Sequence, residues 1–337
     1  HSNEPGSLPD FGSGIDKLFY DRSGTLWISM PWSGIACLDE RKSIFNPLLI
    51  APLSGEPAAG HQPDFHIVGL TSDSIFYVKN TSGLFAWNYK LNTYTRIELN
   101  NSNVYRQINA VIASKDGLLW IGSGGSGLFC YNPVNKSVKN YRNDPKDSAS
   151  LSSDYINILK EEQKGNLWIG TDDQGLGSLN KTRGTFTRYP FISNNGTLVA
   201  KNTLDDSRVH TLFFDKAGIL WIGTNQGGLN RFDTRTGEFT TFLDLKSGLH
   251  CVINIYEDKH GRFWAGTYLA GLFLFDRKTG TKRRFSEKDG LLFNSVFGIK
   301  EDVTGNIWIA TARGLSRLDP KSNRVVNYAI PIGNVES

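Results

Sequence analysis

The chain has 337 residues, a formal net charge of +4, 35 glycines and 12% aromatic residues, but only one methionine. No stretch approaches the ~20 apolar residues that a membrane-spanning helix needs, and no long Lys/Arg run marks a nucleic-acid-binding arm. This composition excludes a disordered or collagen-like chain and favours a globular protein of many short strands joined by tight turns.

A seven-residue segment recurs along the chain, and its fullest form is Gly-Asn-Leu-Trp-Ile-Gly-Thr at Gly165–Thr171. Its other copies are Gly24–Met30, Gly117–Ser123, Gly218–Thr224, Gly261–Thr267 and Gly305–Thr311. The tryptophans of the copies form one column: Trp27, Trp120, Trp168, Trp221, Trp264 and Trp308. We assign Phe76 to the wide gap between the first two tryptophans, which predicts seven repeats of about 48 residues each.

Each repeat reads as four strands in chain order. An apolar pair three residues apart comes first and ends at an acid, as in Val209, Leu212 and Asp215. The tryptophan segment, a Gly-Leu run and a short aromatic run follow, each bounded by turn residues. The spacing of three predicts a bulge or bend in the first strand.

The repeated carboxylates are interpreted as turn formers. Asp215 to Gly218 and Asp258 to Gly261 have the acid and glycine that a hairpin turn needs. The third and fourth strands are joined in the same way, as at Asp233 to Gly237 and Asp276 to Gly280.

Seven such units predict an all-β fold, a seven-bladed β-propeller of four-stranded antiparallel blades. We expect a single propeller over 1–337, with the tryptophans packed between blades and no strand exchanged between the chain ends. The predicted blades are approximately 12–47, 65–98, 105–142, 153–190, 206–243, 249–286 and 293–330.

The pattern of an acid, two residues, Gly, then LWIGT and GL resembles the two-component regulator propeller repeat. The segment Asn143–Asp154 resembles the linker between blades in this family. Blade 2 departs most, because Phe76 replaces Trp and Tyr77-Val78-Lys79 replaces Ile-Gly-Thr, and blade 1 has Ser29-Met30 for Gly-Thr.

This resemblance implies the periplasmic sensor region of a hybrid two-component system of gut Bacteroidetes. In such receptors propellers precede an immunoglobulin-like domain, a membrane helix, a histidine kinase, a receiver and a DNA-binding region. The implied ligand is an oligosaccharide, and the implied partners are a neighbouring propeller, the immunoglobulin-like domain and a second copy in a homodimer. We therefore expect the chain to be a fragment of a sensor ectodomain that binds no nucleic acid itself.

The sequence offers little catalytic chemistry. The six histidines have no HxxxH or HxH spacing, the three cysteines form no CxxC pair, and neither GxSxG nor GxxxxGK[ST] occurs. We expect no catalytic residue, no metal and no cofactor. The Asp172-Asp173 pair leaves open acid/base catalysis on a glycosidic bond. The D-x-x-G-x-x-W turn is similar to the Asp-box of sialidase propellers, but it has one more residue between Asp and Gly, which weakens the sialidase interpretation.

Binding is predicted on the face where the turns between strands two and three meet the links between blades. These positions vary on a repeated frame, and aromatic, Arg, Asn and Asp side chains can stack on sugars or bond their hydroxyls. Tyr155, His210 and Phe293-Asn294 share this face. The candidate ligand-binding residues are Trp32, Tyr105, Arg106, Asp172, Asp173, Arg208, Asn225, His250, Tyr268 and Arg313.

Three functions remain open from the sequence. A sensing module predicts a gene that continues into a membrane span and a kinase. A carbohydrate-active lyase or hydrolase predicts turnover that depends on Asp172 or Asp173. A protein-interaction scaffold predicts a specific protein partner, although the Gly-His and Trp-Asp signatures of WD repeats are missing.

Overall fold

The computed structural model describes residues 15, 17–21, 24–30, 34–39, 44–48, 66–70, 75–80, 82–100, 102–192, 202–242, 249 and 251–329. Within these residues the chain forms seven sheets of four antiparallel strands, which confirms the seven-bladed β-propeller. Short 3₁₀ helices at Ser102–Gln107 and Glu287–Asp289 precede blades 3 and 7.

The strands follow one another blade by blade. The first three blades contain β1 Lys17–Tyr20, β2 Leu26–Met30, β3 Gly34–Asp39, β4 Ile44–Leu48; β5 His66–Leu70, β6 Ile75–Lys79, β7 Leu84–Asn88, β8 Thr93–Ile97; and β9 Ile108–Ala113, β10 Leu119–Ser123, β11 Leu128–Tyr131, β12 Val138–Tyr141. Blades 4 and 5 contain β13 Ile156–Glu161, β14 Leu167–Thr171, β15 Leu176–Asn180, β16 Thr185–Arg188; and β17 Val209–Phe214, β18 Leu220–Thr224, β19 Leu229–Asp233, β20 Glu238–Phe242. Blades 6 and 7 contain β21 Val252–Glu257, β22 Phe263–Thr267, β23 Leu272–Phe275, β24 Lys282–Phe285; and β25 Val296–Glu301, β26 Ile307–Thr311, β27 Gly314–Leu318, β28 Val325–Ala329.

The first strand of each blade forms the inner wall of the ring, because the first strands of neighbouring blades contact one another. Every sheet is made of four consecutive strands, so the blades are whole, as predicted. The ring closes by side-chain packing: Ile15 and Leu18 of blade 1 lie in one cluster with Trp308 and Leu315 of blade 7.

The inner strands carry the predicted bulge. In blade 4 the register against β14 shifts between Ile156 and Ile158, and in blade 5 the register shifts between Val209 and Thr211. The extra residue places both members of the apolar pair against the preceding blade. The side chains between and after the pair are then available to line the central channel.

The tryptophan column packs between blades, as predicted. Trp221 is 1% exposed, and its ring centre lies 4.7 Å from that of Phe263 in blade 6. In blades 3 to 6 the glycine two residues after the tryptophan makes room for the next inner strand, since a Cβ on Gly170 would lie 2.6 Å from Val209 Cγ1. A large tryptophan ring and a glycine on the same face thus define the contact between these neighbouring blades.

The acid of the first turn accepts a hydrogen bond from the tryptophan of its own blade. Trp264 Nε1 donates to Asp258 Oδ2 at 2.9 Å, and Trp308 Nε1 donates to Asp302 Oδ2 at 3.1 Å. Blades 1 and 5 have the same bond, from Trp27 to Asp21 and from Trp221 to Asp215. The repeated aspartate therefore both forms a turn and satisfies a buried indole.

Blades 3 and 4 lack this bond. Ser114 and Glu162 occupy the acid position, and the buried indole nitrogens of Trp120 and Trp168 have no hydrogen-bond partner among the described residues. Glu162 instead accepts a bond from Asn166 Nδ2 at 3.2 Å. A buried donor without an acceptor lowers the stability of these two blades.

The assignment of Phe76 to the tryptophan column was wrong, because Tyr77 takes that place. Lys79 pairs with Leu84 as Gly170 pairs with Leu176, so the residues equivalent to Trp-Ile-Gly-Thr are Tyr77 to Asn80. Tyr77 packs forward against blade 3, whereas Phe76 packs backward against Trp27 of blade 1. The shorter turn of blade 2 concealed this register.

We predict that Glu162→Asp raises the free energy of unfolding by about 1 kcal/mol, because the shorter side chain supplies the acceptor that Trp168 lacks. The reciprocal change Asp302→Glu is the matched control and should lower it by a similar or larger amount. Denaturant unfolding monitored by tryptophan fluorescence measures both. A loss of stability in Glu162→Asp would contradict this explanation.

Candidate functional site

A cavity of about 590 Å³ opens at the centre of the ring. Inner strands of blades 1, 4, 5, 6 and 7 line it, together with rim residues of blades 5 and 6. Its mouth lies at the end where strands two and three join, since Val209 pairs with Thr224 there and Val252 pairs with Thr267. The lining side chains include Lys17, Phe19, Ile158, His210, Thr211, Asn225, Cys251, Asn254, Tyr268, Phe297 and Lys300.

Asp172 and Arg208, which the sequence predicted separately, lie beside this mouth, because the backbone oxygen of Arg208 accepts a hydrogen bond from the cavity residue Asn225 N at 3.1 Å. Arg208 Nε lies 2.9 Å from Asp172 Oδ1, and Asn157 Nδ2 donates to the same oxygen at 3.1 Å. The side chains of Asp172 and Arg208 are 43% and 46% exposed. An ion pair this open contributes little to stability, so both groups can exchange partners with a ligand.

Asn225 joins the strands of blades 5 and 6 at the cavity wall. Its Oδ1 lies 3.3 Å from His210 Nε2 and 3.6 Å from Cys251 Sγ. Burial lowers the pKa of His210, which keeps its imidazole neutral at pH 7. Asn225 and His210 thus present uncharged hydrogen-bonding groups inside the mouth.

The rim also exposes apolar and aromatic surface. Tyr268 is 50% exposed, Leu269 is 56% exposed and Tyr155 is 53% exposed. Leu269 has a φ of 67°, in the left-handed region that disfavours a bulky side chain. Backbone strain that presents an apolar side chain to solvent is typical of a binding surface.

The remaining candidate residues lie apart from this cluster. Asp173 and Arg106 are exposed, and Arg106 accepts a bond from Lys79 Nζ through its backbone oxygen at 3.1 Å. Arg313 lies in blade 7, with its guanidinium 4.7 Å from the ring centre of Phe293. Trp32 and His250 lie outside the described residues.

Tyr105 is a correction to the sequence prediction. Its side chain is 1% exposed, and its hydroxyl accepts a bond from Leu99 N at 3.0 Å. The 3₁₀ helix Ser102–Gln107 turns this ring into the core between blades 2 and 3, so it is not available to a ligand.

Two lysines occupy the same level of the inner wall deeper in the channel. Lys160 of β13 pairs with Trp168, and Lys300 of β25 pairs with Trp308. Burial, and secondarily the charge of Lys160, lowers the pKa of Lys300 to about 8, and burial also lowers the pKa of Lys160. The channel therefore contains cations that it solvates poorly.

The sequence profile of the family described as two component regulator propeller matches residues 150–173, 203–226 and 290–313. Three of the seven repeats therefore match the two component regulator propeller model. Each matched segment runs from a link between blades through the inner strand and the tryptophan strand to the rim. The matches lie in blades 4, 5 and 7, and they confirm the resemblance noted in the sequence.

The chain is similar to histidine kinase P4 of Formosa agariphila, with 26% identity over 278 residues that cover 78% of this chain and 20% of the kinase. The extracellular domain of the hybrid two component system BT3049 from B. thetaiotaomicron is 20% identical, with a TM-score of 0.69 over 91% of this chain and 39% of that one. A catalytically inactive virginiamycin B lyase from Staphylococcus aureus is 15% identical, with a TM-score of 0.57 over 97% of this chain and 88% of that one. The two structures show a shared fold, and this chain spans about a fifth of the kinase's length.

Two further features of the described residues bear on chemistry and topology. No group of three or more His, Cys, Asp or Glu side chains is placed to hold a metal ion. None of their helices has the length and apolar character needed to cross a membrane.

Sequence reasoning placed Tyr268-Leu269 on the rim but missed the channel lysines and the positive φ of Leu269. Lys160 and Lys300 directly follow the second apolar residue of their inner strands, after Leu159 and Ile299. That position could have been identified by aligning the seven repeats and asking which side chains follow the bulge. The positive φ of Leu269 has no comparable sequence signal, because leucine rarely adopts it.

We predict that Lys300→Gln removes a pH dependence from the stability of the propeller. The folded chain releases the Lys300 proton near pH 8, whereas an unfolded lysine keeps its proton to a pKa of about 10.4. The unfolded state therefore binds more protons than the folded state in this window, so the free energy of unfolding rises with pH. Relative to Lys300→Gln, the wild-type free energy of unfolding should increase between pH 8 and about pH 10, as measured by urea denaturation. The exposed Lys321→Gln is the control, and a parallel pH response in all three proteins would refute the prediction.

We predict that Leu269→Gly stabilises the fold by about 0.5–1 kcal/mol, because glycine adopts a positive φ without steric cost. The matched control is Leu91→Gly, at an exposed leucine that lacks a positive φ and should gain nothing. Thermal unfolding compares the two variants. A destabilised Leu269→Gly would show that the side chain packs instead of being strained.

Proposed function

We propose that this propeller is the periplasmic ligand-sensing module of a hybrid two-component sensor, and that it binds an oligosaccharide at the channel mouth of blades 4 to 6 without transforming it. The observation that carries this proposal is the convergence of the Asp172–Arg208 pair with Asn225 and Tyr268 at the opening of a 590 Å³ cavity. Cavities of this size with a few placed polar groups are typical ligand sites.

The chemistry of the mouth suits a sugar. Tyr268 and Tyr155 offer half-exposed ring faces that can cover the apolar side of a pyranose. Arg208, Asp172 and Asn225 offer donors and acceptors for ring hydroxyls. Because Arg208 and Asp172 already satisfy each other, a ligand must replace their bond by at least equally good bonds, which favours specific over general binding.

The similarity to a histidine kinase and to an extracellular domain of a hybrid two component system supports the sensor role. In this proposal the chain is one propeller of a larger ectodomain. It contacts a neighbouring propeller and an immunoglobulin-like domain, and the receptor acts as a homodimer. Signalling then requires that the ligand binds two arrangements of the receptor with different affinities.

The test is calorimetric titration of the complete ectodomain with plant, fungal and host oligosaccharides. For a sugar that binds, we expect Tyr268→Ala and Arg208→Ala each to weaken binding by about tenfold or more, since each removes a ring contact or a charged hydrogen bond. Arg235→Ala is the matched control, because Arg235 is an exposed arginine of a turn between strands three and four.

Three results would contradict the proposal. One is the absence of binding by the complete ectodomain to every sugar. A second is equal weakening by Arg235→Ala and Arg208→Ala. The third is conversion of the sugar that depends on Asp172 or Asp173, which would establish the lyase or hydrolase alternative.

A further inference from the structure

The channel wall has one level at which all seven inner strands can be compared. The residue opposite the tryptophan position marks this level in every blade. In blade order these residues are Phe19, Gly69, Ile112, Lys160, Phe213, Tyr256 and Lys300. The level therefore carries two cations and no carboxylate, and the cations stand in blades 4 and 7, on opposite sides of the ring.

The nearest acids on the same strands are already engaged elsewhere. Glu161 pairs with Lys181 of its own blade at 2.5 Å, and Glu301 pairs with Lys259 of blade 6 at 3.6 Å. Among the described residues, no carboxylate forms an ion pair with Lys160 or Lys300. The Lys300 ammonium lies over the ring of Tyr256, whose centre is 5.4 Å from Nζ.

Lys17 adds a third cation between this level and the mouth. It lines the cavity and pairs with Ser29, two residues nearer the rim than the level of Phe19 and Trp27. No carboxylate lines the cavity within the described part of the chain. Two poorly solvated like charges without a counter-charge destabilise a folded protein, and a bound anion removes that cost.

We propose that Lys160 and Lys300 bind an acidic group of the ligand, so that the oligosaccharide sensed at the rim is anionic and carries a carboxylate or a sulfate ester. This inference rests on the proposed function and specifies its ligand class. Lys160 lies four residues along β13 from Ile156 at the mouth, which is about 13 Å. An extended oligosaccharide can thus contact Tyr268 and Arg208 at the rim while its charged end reaches the two lysines. The positive charge of Lys17 attracts the acidic end of the ligand from the mouth toward the two lysines.

The smallest probes for this site are inorganic sulfate and acetate, because they carry the charge without the sugar. The complete ectodomain, labelled with ¹³C-lysine, is titrated with sodium sulfate, sodium acetate or sodium chloride at constant ionic strength, and the lysine Cε resonances are followed by NMR. We expect a saturable shift of the Lys160 and Lys300 resonances with sulfate or acetate but not with chloride. Preference between the two anions identifies the sulfate or carboxylate source.

Variants separate a specific site from general charge effects. Lys160→Gln and Lys300→Gln should each weaken binding of the preferred anion by about tenfold or more, whereas the exposed Lys321→Gln should leave it unchanged. Both channel variants remove an unfavourable buried charge, so they should unfold at temperatures equal to or above that of the wild type. A response to sulfate and acetate no larger than that to chloride overturns the proposal, and so does equal binding by Lys300→Gln.

The sugar panel distinguishes this inference from the proposed function. Binding of neutral oligosaccharides that is unchanged in the channel variants overturns the anionic ligand and leaves the sensor role standing. Anion binding through Lys160 and Lys300 in an ectodomain that binds no sugar supports the channel site and overturns oligosaccharide sensing. Acidic sugars that bind the wild type but not the channel variants support both.

Discussion

In blades 1, 5, 6 and 7 the tryptophan that packs against the next blade is fixed in position by one aspartate of its own blade. The Asp258 carboxylate closes a hairpin turn and accepts the Trp264 indole N–H at 2.9 Å, so a single side chain fixes both the turn and the ring. The ring then fills the wedge between two sheets, and a glycine two residues on lets the next inner strand approach. Without this arrangement seven separate sheets would have no common register.

The common register has a functional consequence. Because every inner strand pairs in register with the strand that carries the tryptophan or Tyr77, residues at equivalent repeat positions stand at one level of the channel. Lys160 and Lys300 are distant in the sequence, yet they occupy the same level of the inner wall. The scaffold contacts depend on repeated residues, which leaves the rim turns and the channel side chains free to differ from blade to blade.

The fold could be predicted from the sequence because its determinants are local and repeated. The column of tryptophans, the turn acids and the bulged inner strands all follow from spacing alone. The error at Phe76 arose where repetition fails: blade 2 has a shorter turn, and only the pairing of Lys79 with Leu84 shows that Tyr77 replaces the tryptophan.

The candidate site was predictable only in part. Asp172 and Arg208 were identified because they flank repeated strands, but their 2.9 Å contact across blades 4 and 5 depends on the ring geometry. Tyr105 was misjudged because a link between blades can turn a side chain inward as easily as outward. The channel lysines escaped notice because each looks like an ordinary strand lysine until the seven strands are placed in one wall.

The most direct test of the account is hydrogen exchange of the tryptophan indole protons, followed by ¹⁵N NMR. The indole protons of Trp221, Trp264 and Trp308 should exchange only through global unfolding, with a free energy equal to that from denaturant unfolding. The buried but unpaired indoles of Trp120 and Trp168 should exchange through smaller openings. Rapid exchange at Trp264 or Trp308 would contradict the claim that these bonds hold the ring together.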